Sequence, residues 1–207
     1  MKKRFKQVYQ FRIELREVKP PVWRRIQVPE MYTFWDLHVA VQGAMGWLDY
    51  HLHEFTIIDP SSGTEVQMGI PCDEFEDDIE ILPGWDYRIA DYFSPKNKVA
   101  VYTYDFGDNW QHTIRLEEIL PREKNARYPR CLDGSRACPR EDCGGPWGYK
   151  ELLQILKDPE HEEYEEMRDW AGHDFAPEAF SAARVKFDDP DVRWRIAFDD
   201  AEDDSVD

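Results

Sequence analysis

A chain of 207 residues, of which 42% are hydrophobic and 14% aromatic, can bury an apolar core, and this composition excludes an intrinsically disordered protein. The formal net charge of -17 repels phosphate backbones, so we expect no non-specific binding of the whole protein to nucleic acid. No apolar run approaches the roughly 20 residues that span a bilayer, and the basic start lacks the apolar core of a signal peptide. We therefore expect a cytoplasmic protein that does not bind a membrane.

Alternating apolar and polar side chains in the first 120 residues predict an antiparallel sheet. The predicted strands cover residues 5–15, 22–28, 52–58, 65–68, 98–104 and 110–117. Thr33 followed by Asp36 resembles a capping box and predicts a helix that ends near Gly46. Between the last two strands, a run of Asp, Gly and Asn residues predicts a hairpin turn with Gly107 at a positive φ.

The pattern changes after residue 121. Residues 122–146 are rich in Pro, Gly, Arg and Cys without a regular period, which predicts a loop, as does the acidic segment 71–83. Helical spacing of apolar residues begins at Trp147. Further elements are predicted at 87–93, 158–171, 177–183 and 191–198. Strands followed by helices are typical of an α+β fold, so we expect one α+β domain over 1–198 and an acidic tail over 199–207.

Three of the four cysteines lie in the loop before Trp147, and their spacing suggests a structural zinc site. Cys131, Cys138 and Cys143 are spaced C-x6-C-x4-C, and thiolates are good zinc ligands. The loop offers no fourth cysteine. The fourth ligand would be His51, His53, His112 or Asp142. The alternative interpretation is three small buried thiols that pack without a metal.

Two shorter motifs carry side chains that could bind a metal or transfer a proton. His51 and His53 lie two residues apart on a predicted strand, so they would face the same way and could chelate one ion. Asp105, Asp108 and His112 could form a proton-transfer or cation site. The same aspartates are also what a tight turn requires, because their side chains bond their own backbone.

The candidate residues for an enzyme site are His51, His53, Asp105, Asp108, His112, Glu141 and Asp142. The sequence contains no phosphate-binding loop, no dinucleotide fingerprint and no nucleophile elbow. Nucleotide-binding proteins and ordinary serine hydrolases are therefore disfavoured.

Taken together and in this order, the motifs resemble the Ri-plasmid ORF-3-like family. They are VWRRI at 22–26, GW at 46–47 with HLHEF at 51–55, YDFGDNW at 104–110, and CPREDCGGPWGY at 138–149. The resemblance covers residues 6–198 and implies an α+β fold found on plasmids, transposons and chromosomes, with no assigned catalytic residues. Some members carry the label of transposon resolvase, but this chain has no serine before Ser61 to serve as the N-terminal nucleophile of a serine resolvase.

The sequence favours a binding or accessory protein with a protein partner, which the resemblance links to plasmids and transposons. An enzyme is the first alternative, and it requires several of the candidate side chains within about 4–6 Å in one pocket. An acidic mimic of DNA is the second, and it requires the carboxylates to line one face of the molecule.

Overall fold

The computed structural model describes residues 5–71 and 80–199 of the chain. The strands are β1 Gln7–Leu15, β2 Trp23–Pro29, β3 His53–Ile58, β4 Glu65–Gly69, β5 Ile81–Pro83, β6 Val99–Tyr104, β7 Trp110–Pro121 and β8 Arg130–Ser135. They form one sheet in the order β5-β4-β3-β6-β7-β1-β2-β8. Only the β4–β5 pair of this sheet is parallel. The predicted α+β fold and its antiparallel sheet are confirmed.

The helices are α1 Phe34–Met45, α2 Ile89–Tyr92, α3 Gly145–Ile155, α4 Tyr164–Ala171 and α5 Pro190–Trp194. A 3-10 turn at Ala182–Arg184 and a π-helical turn at Arg195–Asp199 complete the regular structure of the described ranges. In those ranges no helix combines the length and the apolar character needed to cross a membrane.

The start of α1 follows the predicted capping box. Thr33 Oγ1 accepts a hydrogen bond from the backbone N–H of Asp36, and the Asp36 carboxylate accepts one from the N–H of Thr33. These two bonds satisfy donors that the first helical turn leaves without partners. At the other end, Gly46 takes a φ of 85° and terminates the helix as expected.

The core lies between the sheet and α1. On β1 the inward residues Phe11, Ile13 and Leu15 are buried, as the alternation in the sequence predicts. Phe34 of α1 packs on Phe55 of β3 with ring centroids 5.3 Å apart. Burial of these apolar side chains fixes which face of the sheet the helix covers.

Four local predictions need correction. Strand β8 lies inside the segment predicted as a loop, because β2 supplies it with an antiparallel hydrogen-bonding partner. Helix α4 begins at Tyr164 and not near 158, since residues 158–163 form turns. The predicted helix at 177–183 is reduced to the 3-10 turn Ala182–Arg184. Of the acidic segment 71–83, residues 81–83 form β5, and 72–79 lie outside the described ranges, as do residues 200–207 of the tail.

The turn between β6 and β7 also differs from the prediction. Gly107 is not among the residues with a positive φ, and Asp105 (φ 57°) and Asn109 (φ 53°) take that conformation instead. Asp and Asn tolerate the left-handed region because their short side chains can bond the local backbone. The hairpin is present, but its strained positions are at its two ends.

Candidate metal centre

One imidazole nitrogen and two carboxylates converge at the edge where β3 begins and β6 ends. His51 Nε2 lies 3.0 Å from Asp142 Oδ1 and 3.6 Å from Asp105 Oδ2. The potential ligand atoms of the three residues all lie within 4.8 Å of one another. Within residues 5–71 and 80–199, no other three side chains of His, Cys, Asp or Glu meet in this way. We call this group the His51 cluster.

Strand pairing brings two of these residues together. β3 and β6 are antiparallel neighbours, and His53 pairs with Tyr104. His51 stands just before β3 and Asp105 just after β6, so both side chains emerge at the same edge of the sheet. Asp142 arrives from the loop that leads into α3. The cluster therefore joins two strand ends to a distant loop.

The carboxylate of Asp105 is oriented by its own turn. Its Oδ1 accepts hydrogen bonds from the N–H groups of Gly107 and Asp108, at 3.0 and 3.3 Å, which leaves Oδ2 facing His51. Asp105 and Asp142 both have left-handed backbones, with φ of 57° and 60°. A non-glycine residue in this region stores strain that the surrounding structure must hold.

A second set of bonds fixes the loops around the cluster. Tyr104 Oη donates to Glu141 Oε1 at 2.5 Å and accepts a bond from the N–H of Tyr50 at 3.0 Å. Burial and the bond to Glu141 raise the pKa of Tyr104 above its usual range, so the hydroxyl stays protonated as a donor. The other carboxylate oxygen of Glu141 accepts from the N–H of Leu48 at 2.8 Å. Glu141 thus supports the cluster from outside it.

Asp108 connects the hairpin turn to the cysteine loop. Its Oδ2 accepts a hydrogen bond from the N–H of Gly144 at 3.1 Å. The backbones approach closely here: a Cβ on Gly145, whose φ is 67°, would lie 2.3 Å from the Asp108 carbonyl oxygen. Asp108 therefore positions the loop that carries Asp142 and is not itself a member of the cluster.

The structure separates His53 and His112 from His51. His53 begins β3 and lies on the same buried face of that strand as Phe55, whereas His51 precedes the strand and its side chain is 32% exposed. Burial lowers the pKa of His53 well below its usual value, and the pKa of His112 to about 3. The Nε2 of His112 and the Nδ1 of His53 have no hydrogen-bond partner among the described residues. Both rings are neutral core groups near neutral pH.

A buried polar network that the sequence motifs did not indicate lies next to these histidines. Gln42 Nε2 donates to Tyr102 Oη at 2.8 Å, and His38 Nδ1 lies 2.8 Å from the same hydroxyl. The other ring nitrogen of His38 lies 2.8 Å from Asp49 Oδ1, and Asp49 also pairs with Arg193 at 2.7 Å. Burial acts to raise the pKa of Asp49, but His38 and Arg193 lower it on balance. The signal for this network in the sequence is that His38 and Gln42, two polar residues four apart, lie on the buried face of α1.

The three cysteines of the predicted zinc site are free thiols, and the described residues show no group of three metal ligands that contains them. Cys131 lies on β8, while Cys138 and Cys143 lie in the loop before α3. Burial raises the pKa of Cys131, and it raises the pKa of Cys138 and of Cys143 to about 12. As free thiols they are protonated near neutral pH, so a zinc ion would have to displace their protons.

The zinc hypothesis predicts a specific loss of metal. If zinc holds the loop, Cys138→Ala and Cys143→Ala should each remove one zinc per chain and open the loop to proteases, because a tetrahedral site cannot keep the ion with a ligand missing. If the thiols only pack, each substitution costs about 1 kcal/mol through a small cavity and leaves the metal content unchanged. Elemental analysis of freshly purified protein decides between them, and less than one equivalent of zinc in the wild type contradicts the hypothesis.

Comparisons with known proteins cover almost the whole fold. A family model described as plasmid pRiA4b ORF-3-like protein matches residues 7–184, a range that includes the His51 cluster. The uncharacterized protein y4hQ of Sinorhizobium fredii (strain NBRC 101917 / NGR234) is 35% identical over 196 residues, which cover 90% of this chain and 94% of the relative. The crystal structure of a protein of unknown function, MM3350 from Methanosarcina mazei Go1, is 48% identical with a TM-score of 0.84. That match covers 89% of this chain and 100% of the solved chain.

Proposed function

The chain belongs to the plasmid pRiA4b ORF-3-like family, and we propose that it is a metalloprotein that binds one divalent cation through the His51 cluster. One observation carries this proposal: an imidazole nitrogen and two carboxylates, contributed by three separate segments, present their ligand atoms within 4.8 Å of one another. A mixed set of one nitrogen and two carboxylate ligands suits zinc, manganese or iron(II).

The charges around the cluster support a cation as the ligand. Neither Asp105 nor Asp142 pairs with a lysine or arginine among the described residues, and each contacts only His51 as a potential cation. Two nearby carboxylates repel each other, and a divalent ion would remove that repulsion. The side chain of Asp105 is 11% exposed and that of Asp142 is 66% exposed, so the cluster opens to solvent on the Asp142 side.

The same geometry supports metal-assisted hydrolysis as the reaction class. Three protein ligands leave at least one coordination position for water, and a bound divalent cation makes that water a stronger acid. Asp142 also lines a cleft of about 330 Å³ between α3 and α4, together with Glu151, Glu163 and Trp170. A substrate held in this cleft would lie beside the open side of the cluster.

A binding or accessory role without catalysis is the second candidate, and the loop connections favour it. The cluster ties the Asp142 loop to the ends of β3 and β6, and the bonds of Glu141 tie the same loop to Leu48 and Tyr104. A cation here would then rigidify a surface for a protein partner. Hydrolysis of a panel of phosphate and carboxylate esters, measured with and without the bound metal, separates an enzyme from a purely structural metal site.

Metal titration tests the proposal. The chelator-treated protein should bind about one equivalent of Zn²⁺ or Mn²⁺ by calorimetry. His51→Ala, Asp105→Asn and Asp142→Asn should each weaken that binding by about tenfold or more, because each removes one of three ligands. Asp142→Asn is the cleanest of the three, since Asp142 is the most exposed and has no buried contact to lose.

The matched control is the pair of His173 and Asp169, whose side chains lie 3.2 Å apart on the surface. His173→Ala removes an exposed imidazole beside a single carboxylate, and it should leave metal affinity unchanged. Equal losses in His173→Ala and His51→Ala would show that the metal binds surface histidines in general. Wild-type protein that takes up no metal at millimolar concentration would contradict the proposal outright.

A further inference from the structure

A cationic cleft lies on a different part of this acidic protein. It has a volume of about 780 Å³ and is lined in part by Arg24, Trp47, Phe180, Arg184, Lys186 and Asp188. Three of these side chains are cationic and one is anionic, whereas the whole chain carries a net charge of -17. A local excess of positive charge on an acidic surface concentrates anions in the cleft.

Arg24 forms the floor of the cleft and is only 2% exposed. Its Nε donates to the carbonyl oxygen of Ala44 at 3.0 Å, and Nη1 donates to the carbonyls of Trp23 and Ser135 at 2.8 and 3.0 Å. These acceptors carry no net charge, and Arg24 has no carboxylate partner within the described part of the chain. A buried guanidinium without a counter-ion is costly.

The remaining nitrogen of Arg24 is free to bind a ligand. Nη2 donates to no described residue, while Nε and Nη1 are held by three carbonyls. The ring of Phe180 lies against the guanidinium, 4.0 Å from Cζ, and is itself wedged beside Gly134. The guanidinium of Arg24 is therefore held rigid by its neighbours, so that binding a ligand would cost little conformational entropy.

Two exposed cations stand at the rim. The side chains of Arg184 and Lys186 make no hydrogen bond or ion pair with any residue that the structure describes. Their charges are not used to hold the fold together. Arg24, Arg184 and Lys186 together carry three positive charges, and Asp188, which also lines the cleft, can neutralise only one of them.

From these observations we propose that the Arg24 cleft binds the phosphate group of a small phosphorylated molecule. Phosphate carries up to two negative charges and several acceptor oxygens, which match a guanidinium fork and two flexible cations. The cleft extends past Arg24 along Phe180 and Trp47, which leaves an apolar wall for the organic part of the ligand. This proposal is independent of the His51 cluster.

Titration of the intact protein with inorganic phosphate and with phenyl phosphate at constant ionic strength tests the proposal. Trp47 lines the cleft, so its fluorescence should report saturable binding, with a dissociation constant below about 10 mM. Tighter binding of phenyl phosphate identifies a phosphorylated organic ligand, whereas equal or weaker binding than inorganic phosphate contradicts that part and leaves the free ion as the ligand. No saturable signal with either probe overturns the proposal.

The deciding variant is Arg184→Gln with Lys186→Gln, because both side chains are exposed and unpaired, so that the fold should be retained. It should weaken phosphate binding by about tenfold. The matched control is Arg115→Gln with Lys124→Gln, which removes two exposed cations outside the cleft. An equal loss in the control pair would show general charge attraction and overturn the site. Replacement of Arg24 is not needed for the decision, since it also holds three backbone carbonyls.

Discussion

Lowering the pH from 7 to 5 should reduce the free energy of unfolding by about 2 kcal/mol through His112 alone. Burial lowers the folded-state pKa of His112 to about 3, while the unfolded value is near 6.5. Below pH 6.5 the His112 imidazole takes up a proton in the unfolded chain but stays neutral in the folded chain. The stability is therefore complete above the unfolded pKa and is lost as the pH falls from about 6.5 toward 3. His53 acts in the same direction, since burial also lowers its pKa.

Urea denaturation at pH 7, 6 and 5, with a chelator present, measures this effect. His112→Asn keeps a donor near the carbonyls of Tyr102 and Trp110, which His112 Nδ1 approaches at 3.3 and 3.1 Å, and it removes the titration. The variant should be less stable at pH 7 but should show a shallower loss toward pH 5. His173→Asn, on the surface, should keep the wild-type dependence. Stability that does not change between pH 7 and 5 would show that the rings are hydrated and not buried.

Gly148→Ala should cost about 3 kcal/mol or more and loosen the loop before α3. A Cβ on Gly148 would lie 1.8 Å from the carbonyl oxygen of Cys143, a backbone atom that no rotamer change can move aside. The first turn of α3 would have to shift away from the loop. Asp142 precedes Cys143, so the His51 cluster would also lose its geometry. We therefore expect a lower midpoint in urea and a loss of cation affinity in the same variant.

Gly84→Ala is the matched control for this prediction. Gly84 also lacks a positive φ, but the nearest atoms to its added Cβ are at 3.5 Å, an ordinary van der Waals distance. Its stability should change by less than about 1 kcal/mol, and its cation affinity should match the wild type. If Gly148→Ala is as stable as Gly84→Ala, the close approach of α3 to the Cys143 carbonyl is wrong.

The sequence alone determined the elements whose signal is local. The alternation in β1 depends on which residues face the core, and period-two burial is visible in the chain itself. The capping box and the glycine that ends α1 are also local, because their bonds join residues three or four apart. The ordered set of motifs, finally, was enough to predict the family.

Only the tertiary structure decided the site, because its contacts join residues far apart in sequence. β8 exists through pairing with β2, about a hundred residues earlier, so its own composition predicts a loop. His51 and His53 lie in different environments because β3 begins at His53 and leaves His51 outside the strand. The pairing of β3 with β6 then places Asp105 beside His51. Asp142 reaches the cluster from a loop that Asp108 and Glu141 hold in place. The periodicity of the sequence does not encode which strand ends and loops lie side by side, because the packing of the whole chain decides it.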